Sequence, residues 1–254
     1  MKPLHVKETG TGDPVLLLLH GLGANGEVWQ PLLDVIGGTW PGRIVVPDLR
    51  GHGRSPHGLH YGYGQHASAI AELLQPGERV TIIGHSLGGV IGMVLASGWY
   101  GIDVRHVLGV GIKVNWSDDD LAKAATMAQA PVRWFDTRDE AIDRMLKVSG
   151  LIGLVRPDSA VVDAGVQDVD GKFRLALDPR TFSAPGPSFG AIVQASRVPF
   201  SLACGAGDKM VKLEELKVFD REAFAVPGFG HNLHVEAPKV LWDLAQARMK
   251  EYQG

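Results

Sequence analysis

The sequence predicts an α/β fold in which a doubly wound, mostly parallel sheet is interrupted by a helical insertion. Short, continuously apolar runs such as Val15–Leu19 and 80–83 alternate with segments of helical spacing, as in sheets that are buried on both faces. This alternation stops near Lys113 and resumes with the apolar run at 200–204. A chain of 254 residues with 45% hydrophobic residues is long enough for one large domain with a modest insertion.

The predicted elements of the sheet share a simple pattern of short apolar strands and longer amphipathic helices. The predicted strands are 15–19, 44–46, 80–83, 104–110, 200–204 and 224–226. The predicted helices with apolar residues three or four positions apart are 27–36, 65–74 and 238–251, and a further apolar helix follows residue 86. The helix at 65–74 is expected to stop at Pro76 and Gly77.

The insertion is predicted to be helical and to span residues 113–187, which leaves 1–112 and 188–254 as the core. Ser117 and Thr137 are each followed by acidic residues, as is typical of helix N-termini, and Gly150 is expected to close the second helix. A third short helix is expected after Pro157. A short strand at 172–177 follows a turn at 170–171, and the Pro-, Gly- and Ser-rich stretch 181–188 is predicted to be a linker.

Composition excludes several classes of function. The formal net charge of −3 gives no basic footprint for nucleic acid and no cationic face for a membrane. Cys204 is the single cysteine, so an intrachain disulfide cannot form. The longest early apolar run, Val15–Leu19, is too short for a membrane span or a signal peptide. A cytoplasmic protein is therefore expected.

A serine lies in a glycine-rich turn between a predicted strand and an apolar helix. The residues Gly84-His85-Ser86-Leu87-Gly88 form the pattern Gly-x-Ser-x-Gly. Between a strand and a helix, this pattern is typical of a sharp turn that exposes the serine hydroxyl above the sheet. The flanking glycines are needed because side chains would collide where the chain doubles back. Ser86 is therefore predicted to be a nucleophile rather than an ordinary turn residue.

An aspartate and a histidine follow the last two predicted strands. Asp208 comes just after 200–204, and His231 lies in a glycine-rich loop after 224–226. Because the carboxyl ends of parallel strands meet at one edge of the sheet, both side chains should lie near Ser86. A serine hydroxyl needs a base to become nucleophilic, and a histidine oriented by a carboxylate is the usual base.

The sequence resembles the α/β-hydrolase fold serine hydrolases over nearly its whole length, insertion included. The matching motifs are His20-Gly21-Leu22-Gly23, the residues 48–55, the residues 84–89, Gly205-Ala206-Gly207-Asp208 and the residues 230–236. The chain order Ser–Asp–His is also that of the family. The resemblance implies Ser86 as nucleophile, His231 as base and Asp208 as the residue that orients the base. It implies the backbone N–H groups of Leu22 and Leu87 as the oxyanion hole.

The same resemblance implies a carboxylic-ester hydrolase of the carboxylesterase type, which forms an acyl-enzyme and needs neither a cofactor nor a metal. Its partner would be a small-molecule ester. The insertion would be a cap that sets substrate preference, and four of its bulky residues are predicted to line an apolar pocket: Trp116, Met127, Trp134 and Met145. Lactonase, thioesterase, carbon–carbon bond hydrolase and perhydrolase activities use the same three residues and stay open as alternatives.

The first glycine-rich loop also matches a class of protein other than the hydrolases. The residues 21–26 match G-x-G-x-x-G and Asp48 ends the next strand, as in a dinucleotide-binding oxidoreductase. That interpretation leaves Ser86, Asp208 and His231 without a role, so it is disfavoured, as is a catalytically silent binding protein. The ten histidines suggest a metal, but the sequence contains no ligand set such as H-E-x-x-H.

Overall fold

The computed structural model describes residues 2–183 and 188–251. The strands in these ranges are β1 (Val6–Thr9), β2 (Val15–Leu19), β3 (Ile44–Pro47), β4 (Arg79–His85), β5 (Asp103–Val110), β6 (Val166–Val169), β7 (Lys172–Leu175), β8 (Phe200–Gly205) and β9 (Phe224–Val226). The main sheet has the order β1-β3-β2-β4-β5-β8-β9, and every neighbouring pair is parallel except β1 and β3. The predicted fold class is confirmed, and the antiparallel edge strand β1 is an addition to it.

Helices follow most strands of the sheet. Within the described residues they are α1 (Gln30–Ile36), α2 (Tyr63–Ala71), α3 (Leu87–Leu95), α4 (Asp118–Gln129), α5 (Arg138–Ser149), α6 (Ala160–Gly165), α7 (Phe189–Ala195), α8 (Leu213–Lys217), α9 (Leu233–Glu236) and α10 (Pro238–Glu251). The predicted helix at 27–36 begins as a 3-10 turn at Gly26–Trp29 and ends at Gly37 in the left-handed conformation, with φ 51°. No helix in the described ranges is both long enough and apolar enough to cross a membrane.

The continuous apolar run of β2 is explained by two cores, one on each face of the sheet. Leu17 and Leu19 pack on the face covered by α2 and α3, whereas Leu16 and Leu18 pack on the face covered by α1 and α10. All four side chains are fully buried. A strand covered on both faces has no need for alternating polar residues, and this is the pattern from which the sheet was predicted.

The chain between β5 and α7 leaves the sheet and forms α4, α5, α6 and an antiparallel hairpin of β6 and β7. The capping boxes at Ser117 and Thr137 are present as predicted, and Gly150 ends α5 with φ 70°. The hairpin turn is at Asp170 and Gly171, both with positive φ. The predicted linker at 181–188 begins instead as the end of a 3-10 turn, Pro179–Ser183. Its residues 184–187, which include the predicted cap boundary, lie outside the described residues.

Buried polar contacts join this insertion to the core. The Asn25 side-chain amide donates to the carbonyl of Val161 at 2.8 Å. The Tyr61 hydroxyl donates to Asp178 at 2.6 Å, and Arg180 forms an ion pair with the same carboxylate. Burial and the Asp178 carboxylate raise the pKa of Tyr61, so the hydroxyl keeps its proton for this bond. The insertion is thus held to the core by specific contacts at α6 and at Asp178.

Candidate active site

Ser86 lies at the sharp turn between β4 and α3. Its φ and ψ of 48° and −114° fall in a region that residues with a side chain rarely adopt. The Ser86 N–H donates to the carbonyl of Val110 at 2.8 Å, and its own carbonyl accepts from the N–H of Val90 at 3.1 Å. A side chain at Gly88 would collide with the carbonyl oxygen of Leu19. The glycine pattern therefore permits the turn, and the two hydrogen bonds hold it in place.

Asp208 and His231 are in direct contact, as predicted. The Nδ1–H of His231 donates to Oδ2 of Asp208 at 2.7 Å, and the Asp208 side chain is fully buried. The other carboxylate oxygen accepts the backbone N–H groups of Met210 and Val211 at 2.8 and 3.2 Å. With the His231 proton on Nδ1, its Nε2 is left free to accept a proton, which is the arrangement that a general base requires.

The loops that carry these two residues are joined through their backbones. The N–H of Gly207 donates to the carbonyl of Phe229 at 2.8 Å. A side chain at Gly205, the last residue of β8, would overlap the carbonyl oxygens of Phe229 and Gly230. The glycine at this position is needed because the loop after β9 passes directly over the end of β8. This close approach is what brings Asp208 within reach of His231.

Two further residues fix the position of His231: Glu236, for which the sequence predicted no role of its own, and His85, which the sequence predicted to be a structural neighbour of the site. The carboxylate of Glu236 accepts the backbone N–H groups on either side of His231, from Gly230 at 2.7 Å and from Asn232 at 2.9 Å. The Nε2–H of His85 donates to the His231 carbonyl at 3.0 Å. The available signal was that Glu236 follows His231 in the glycine-rich motif and that His85 precedes the nucleophile directly.

The backbone groups predicted to form the oxyanion hole face the same pocket as Ser86. Leu22 and Leu87 both line this pocket, which we call the Ser86 pocket. Leu87 is the first residue of α3, so its N–H lacks a partner inside the helix. Across residues 2–183 and 188–251, neither N–H is bonded to a protein acceptor. Two free donors at a helix N-terminus and an adjacent loop can stabilise a developing oxyanion.

The loop that contains Leu22 is anchored by a buried histidine. His20 accepts the backbone N–H of Leu49 at its Nε2, at 2.9 Å, so its proton is on Nδ1. That Nδ1–H donates to the carbonyl of Gly21 at 2.8 Å. Burial lowers the pKa of His20, and the ring therefore stays neutral and keeps this tautomer. His20 is therefore a bracing residue of this loop.

Asp48 has no capacity left for a nucleotide ribose. Its two carboxylate oxygens accept the backbone N–H groups of Gly26 and Arg54, at 2.6 and 2.8 Å, and the side chain is buried. The acidic residue of a dinucleotide site must instead face the ligand. Asp48 therefore joins the loop after β2 to the loop after β3, which accounts for the formal G-x-G-x-x-G match without a nucleotide.

The Ser86 pocket has a volume of about 270 Å³ and is mostly apolar. Of the four residues predicted to line it, Trp116 and Met127 do so. Its polar wall holds an ion pair between Lys113 and Asp120 at 2.7 Å, with the Lys113 ammonium 5.0 Å from the centre of the Trp116 ring. Hydrogen bonds from Lys113 and Ser117 lower the pKa of Asp120 to about 2.

The other two predicted pocket residues lie elsewhere, and this part of the prediction is corrected. Trp134 is 47% exposed, and its ring faces the guanidinium of Arg174 at 5.4 Å. Met145 is 1% exposed and packs in the hydrophobic core with Ile142, close to Gly165. Within the described residues, neither side chain lines the Ser86 pocket. The pocket prediction relied on the size and hydrophobicity of these side chains, and neither property shows which face of the insertion a residue occupies.

Several histidines are buried around the site and are held neutral. Burial lowers the pKa of His66 to about 4 and that of His234 to about 3, and it holds His52 and His85 well below the ordinary pKa of 6.5. The rings of His85 and His231 are 4.7 Å apart. In the part of the chain that the structure describes, no group of three or more His, Cys, Asp or Glu side chains is arranged to hold a metal ion.

Comparison with known proteins agrees with this geometry. Residues 16–244 match the alpha/beta hydrolase family, and the chain belongs to this family. It is 32% identical to the magnesium-chelatase 30 kDa subunit of Rhodobacter capsulatus over 81% of this chain and 75% of that protein. It is 37% identical to lipase LipV of Mycobacterium tuberculosis, but this match covers only 37% of the chain and 36% of LipV.

Solved structures share the same fold at lower identity. The structure is similar to E-2-(acetamidomethylene)succinate hydrolase, with a TM-score of 0.79 and 21% identity over 96% of this chain and 94% of that chain. It is also similar to the thioesterase domain from the curacin biosynthetic pathway, with a TM-score of 0.77 and 22% identity over 95% and 94% of the two chains. Family and fold together identify the chain as a hydrolase.

Proposed function

We propose that the protein hydrolyses carboxylic esters through an acyl-enzyme on Ser86, His231 and Asp208. The observation that carries this proposal is the hydrogen bond from His231 Nδ1 to a buried, doubly anchored Asp208 carboxylate. This pair leaves His231 Nε2 as a proton acceptor at the sheet edge where Ser86 sits on its strained turn. The free N–H groups of Leu22 and Leu87 supply the oxyanion hole.

The proposed reaction has two steps. The Ser86 hydroxyl oxygen attacks the ester carbonyl and passes its proton to His231 Nε2, which then protonates the leaving alcohol. Water next attacks the acyl-serine and passes a proton to His231, which returns it to the Ser86 oxygen as the C–O bond to the acyl group breaks and the carboxylic acid leaves. Asp208 holds the ring tautomer throughout, and the oxyanion of each tetrahedral intermediate is stabilised at Leu22 and Leu87.

The proposal is tested by comparing wild type and Ser86→Ala on p-nitrophenyl esters, a lactone panel and a thioester panel. We expect esters to be the best substrates. Ser86→Ala should lower kcat by about 10⁴- to 10⁶-fold while far-ultraviolet circular dichroism is unchanged. Activity of Ser86→Ala within tenfold of wild type would reject the nucleophile, and a clear preference for lactones or thioesters would reject the substrate class.

A second candidate role is favoured by the long match to the R. capsulatus relative. On that basis the chain would act as a subunit of a magnesium chelatase. Adding wild-type protein to a chelatase assay would raise magnesium insertion if this role is correct. Ser86→Ala separates the two roles, because a purely subunit-like function would survive the loss of the nucleophile.

A further inference from the structure

A second cavity lies inside the insertion, next to the Ser86 pocket. It has a volume of about 380 Å³, and we call it the distal cavity. Met127 and Phe182 line both cavities and form the wall between them. Both side chains are only partly buried. The two cavities are therefore neighbours that share these two side chains.

The lining of the distal cavity is apolar except for two guanidinium groups. Among its described lining residues, Arg133 and Arg144 are the only ones with polar side chains. The remainder of the wall is built from aliphatic and aromatic side chains such as Val148, Leu175 and Leu177. Arg144 is half-buried and Arg133 is exposed. Two cations in an otherwise apolar wall favour a ligand with a negative charge there, because guanidinium groups form charge-assisted hydrogen bonds with anions.

Neither guanidinium has an anionic partner in the described part of the chain. The guanidinium of Arg133 lies 4.9 Å from the centre of the Phe135 ring, and among the described residues neither Arg133 nor Arg144 has a carboxylate within ion-pair distance. Glu140 and Asp143 line a hollow on the outer side of the same two arginines, yet neither comes within ion-pair distance of them. The carboxylate of Glu140 is instead bonded to the N–H of Thr137.

We propose that the distal cavity binds the anionic end of an amphipathic ester. The preferred substrate would place its ester carbonyl at Ser86, pass an apolar chain between Met127 and Phe182, and bring a terminal carboxylate to Arg133 and Arg144. Carboxylates suit this site because guanidinium groups bind them through paired N–H···O bonds. This inference rests on the proposed ester hydrolysis and narrows the substrate to esters with a remote negative charge.

The test compares pairs of esters that differ only at the far end. The mono-p-nitrophenyl ester of octanedioic acid carries a terminal carboxylate, and p-nitrophenyl octanoate has a methyl group instead. We expect wild type to prefer the carboxylate ester by about 10- to 100-fold in kcat/KM. Arg144→Gln should abolish most of this preference by lowering kcat/KM for the carboxylate ester far more than for octanoate, and Arg144→Lys should restore part of the preference.

Arg138→Gln is the matched control. Arg138 lies on α5 like Arg144, but it pairs with Asp163 and does not line the distal cavity. This variant should keep the wild-type preference. Equal cleavage of the two esters by wild type, or the same loss of preference in Arg138→Gln as in Arg144→Gln, would overturn the inference.

A binding measurement separates this inference from the proposed function. The monomethyl ester of octanedioic acid and methyl octanoate, which differ only in the terminal carboxylate, can be titrated calorimetrically into Ser86→Ala and into Ser86→Ala with Arg144→Gln. We expect the carboxylate ester to bind more tightly than methyl octanoate, and only while Arg144 is present. If wild type cleaves neither neutral nor charged esters, the proposed ester hydrolysis is rejected, and this titration still tests the anion site separately. If the carboxylate ester binds no better than methyl octanoate, the anion site is rejected.

Discussion

Asn232 donates a hydrogen bond from its side-chain amide to the carbonyl of Gly150, at 2.9 Å. Asn232 directly follows His231, and Gly150 ends α5 of the insertion. The loop that holds the proposed base is therefore tied to the helix that contributes Arg144 and Val148 to the wall of the distal cavity. A displacement of α5 would be transmitted to His231 through this contact.

Asn232→Ala is expected to lower kcat about tenfold, because His231 loses one of its supports. The free energy of unfolding should fall by about 1–3 kcal/mol, as is usual when a buried carbonyl loses its donor. Tyr61→Phe is the matched control, since it also removes a buried contact between core and insertion, at Asp178. It should destabilise the fold by a similar amount and leave kcat nearly unchanged. Equal kcat losses in the two variants would show that the Asn232 contact has no specific role.

Asp208→Asn is expected to keep the fold and to lower kcat by about 10³- to 10⁴-fold. The new amide oxygen can still accept the N–H groups of Met210 and Val211. Its NH₂ group would then face His231 and place the ring proton on Nε2, where a base needs a lone pair. Steady-state kinetics on a p-nitrophenyl ester measures this loss.

The control for Asp208→Asn is Asp220→Asn. Like Asp208, Asp220 accepts two backbone N–H groups with its carboxylate, one from Leu202 and one from Glu222. Unlike Asp208, it is not bonded to His231. The kcat of Asp220→Asn should stay within about threefold of wild type. A normal kcat in Asp208→Asn would mean that another acidic residue orients the base.

The stability of the fold is expected to fall as the pH drops from 7 to 5. His66 has a folded pKa of about 4, below the ordinary value of 6.5, because the ring is buried. The unfolded chain therefore binds a proton over this range that the folded chain excludes, and acidification favours unfolding. The contribution of His66 should decrease by about 2 kcal/mol between pH 7 and pH 5.

Urea unfolding at both pH values measures this effect. His66→Gln should lose less stability on acidification than wild type, because the buried imidazole is gone. His60→Gln replaces an exposed histidine and should behave as wild type does. An identical pH dependence in wild type and His66→Gln would contradict the assignment of a neutral, buried His66.

The sheet and the three central residues were predictable because each has a strong local signal. Buried parallel strands are continuous apolar runs, and Ser86 sits in a glycine pattern that only a tight turn requires. Strand β1 was missed because Val6–Thr9 pairs at the sheet edge and half of its residues are exposed. Glu236 was missed because its role is to accept two backbone N–H groups, a contact for which sequence spacing offers no distinctive pattern.

The pocket was harder to predict because it depends on the orientation of each helix of the insertion. Met145 lies between Ile142 and Leu146 on α5, and these three residues have the i, i+3, i+4 spacing of a core-facing stripe. That spacing was a usable signal against a pocket role. By contrast, α4 contributes Met127 to the pocket and has no fully buried residue, so no core-facing stripe distinguishes its pocket side.

Met127 is expected to control the acyl-length limit, since it separates the Ser86 pocket from the distal cavity. Each methylene that enters an apolar pocket contributes about 0.8 kcal/mol, or about fourfold in kcat/KM. Met127→Ala should move the optimum of a p-nitrophenyl ester series to longer chains, and Met127→Trp should move it to shorter ones. Acetate esters should change by less than about threefold in either variant.

Met210→Ala provides the comparison, because Met210 lines the Ser86 pocket but not the distal cavity. It is expected to alter rates for short esters and to leave the length optimum in place. If Met127→Ala and Met210→Ala shift the optimum equally, the wall between the cavities does not set the limit.

The central claim is that Ser86 carries the acyl group during turnover, and intact-mass spectrometry of the quenched enzyme tests it most directly. Wild type and Ser86→Ala are mixed with p-nitrophenyl butyrate and acid-quenched within milliseconds to seconds, and the protein is then digested to locate any added mass. The account predicts a butyryl group on Ser86 in wild type and none in Ser86→Ala. A butyryl group on another residue in wild type, or rapid turnover with no acylated Ser86 at any time, would contradict it.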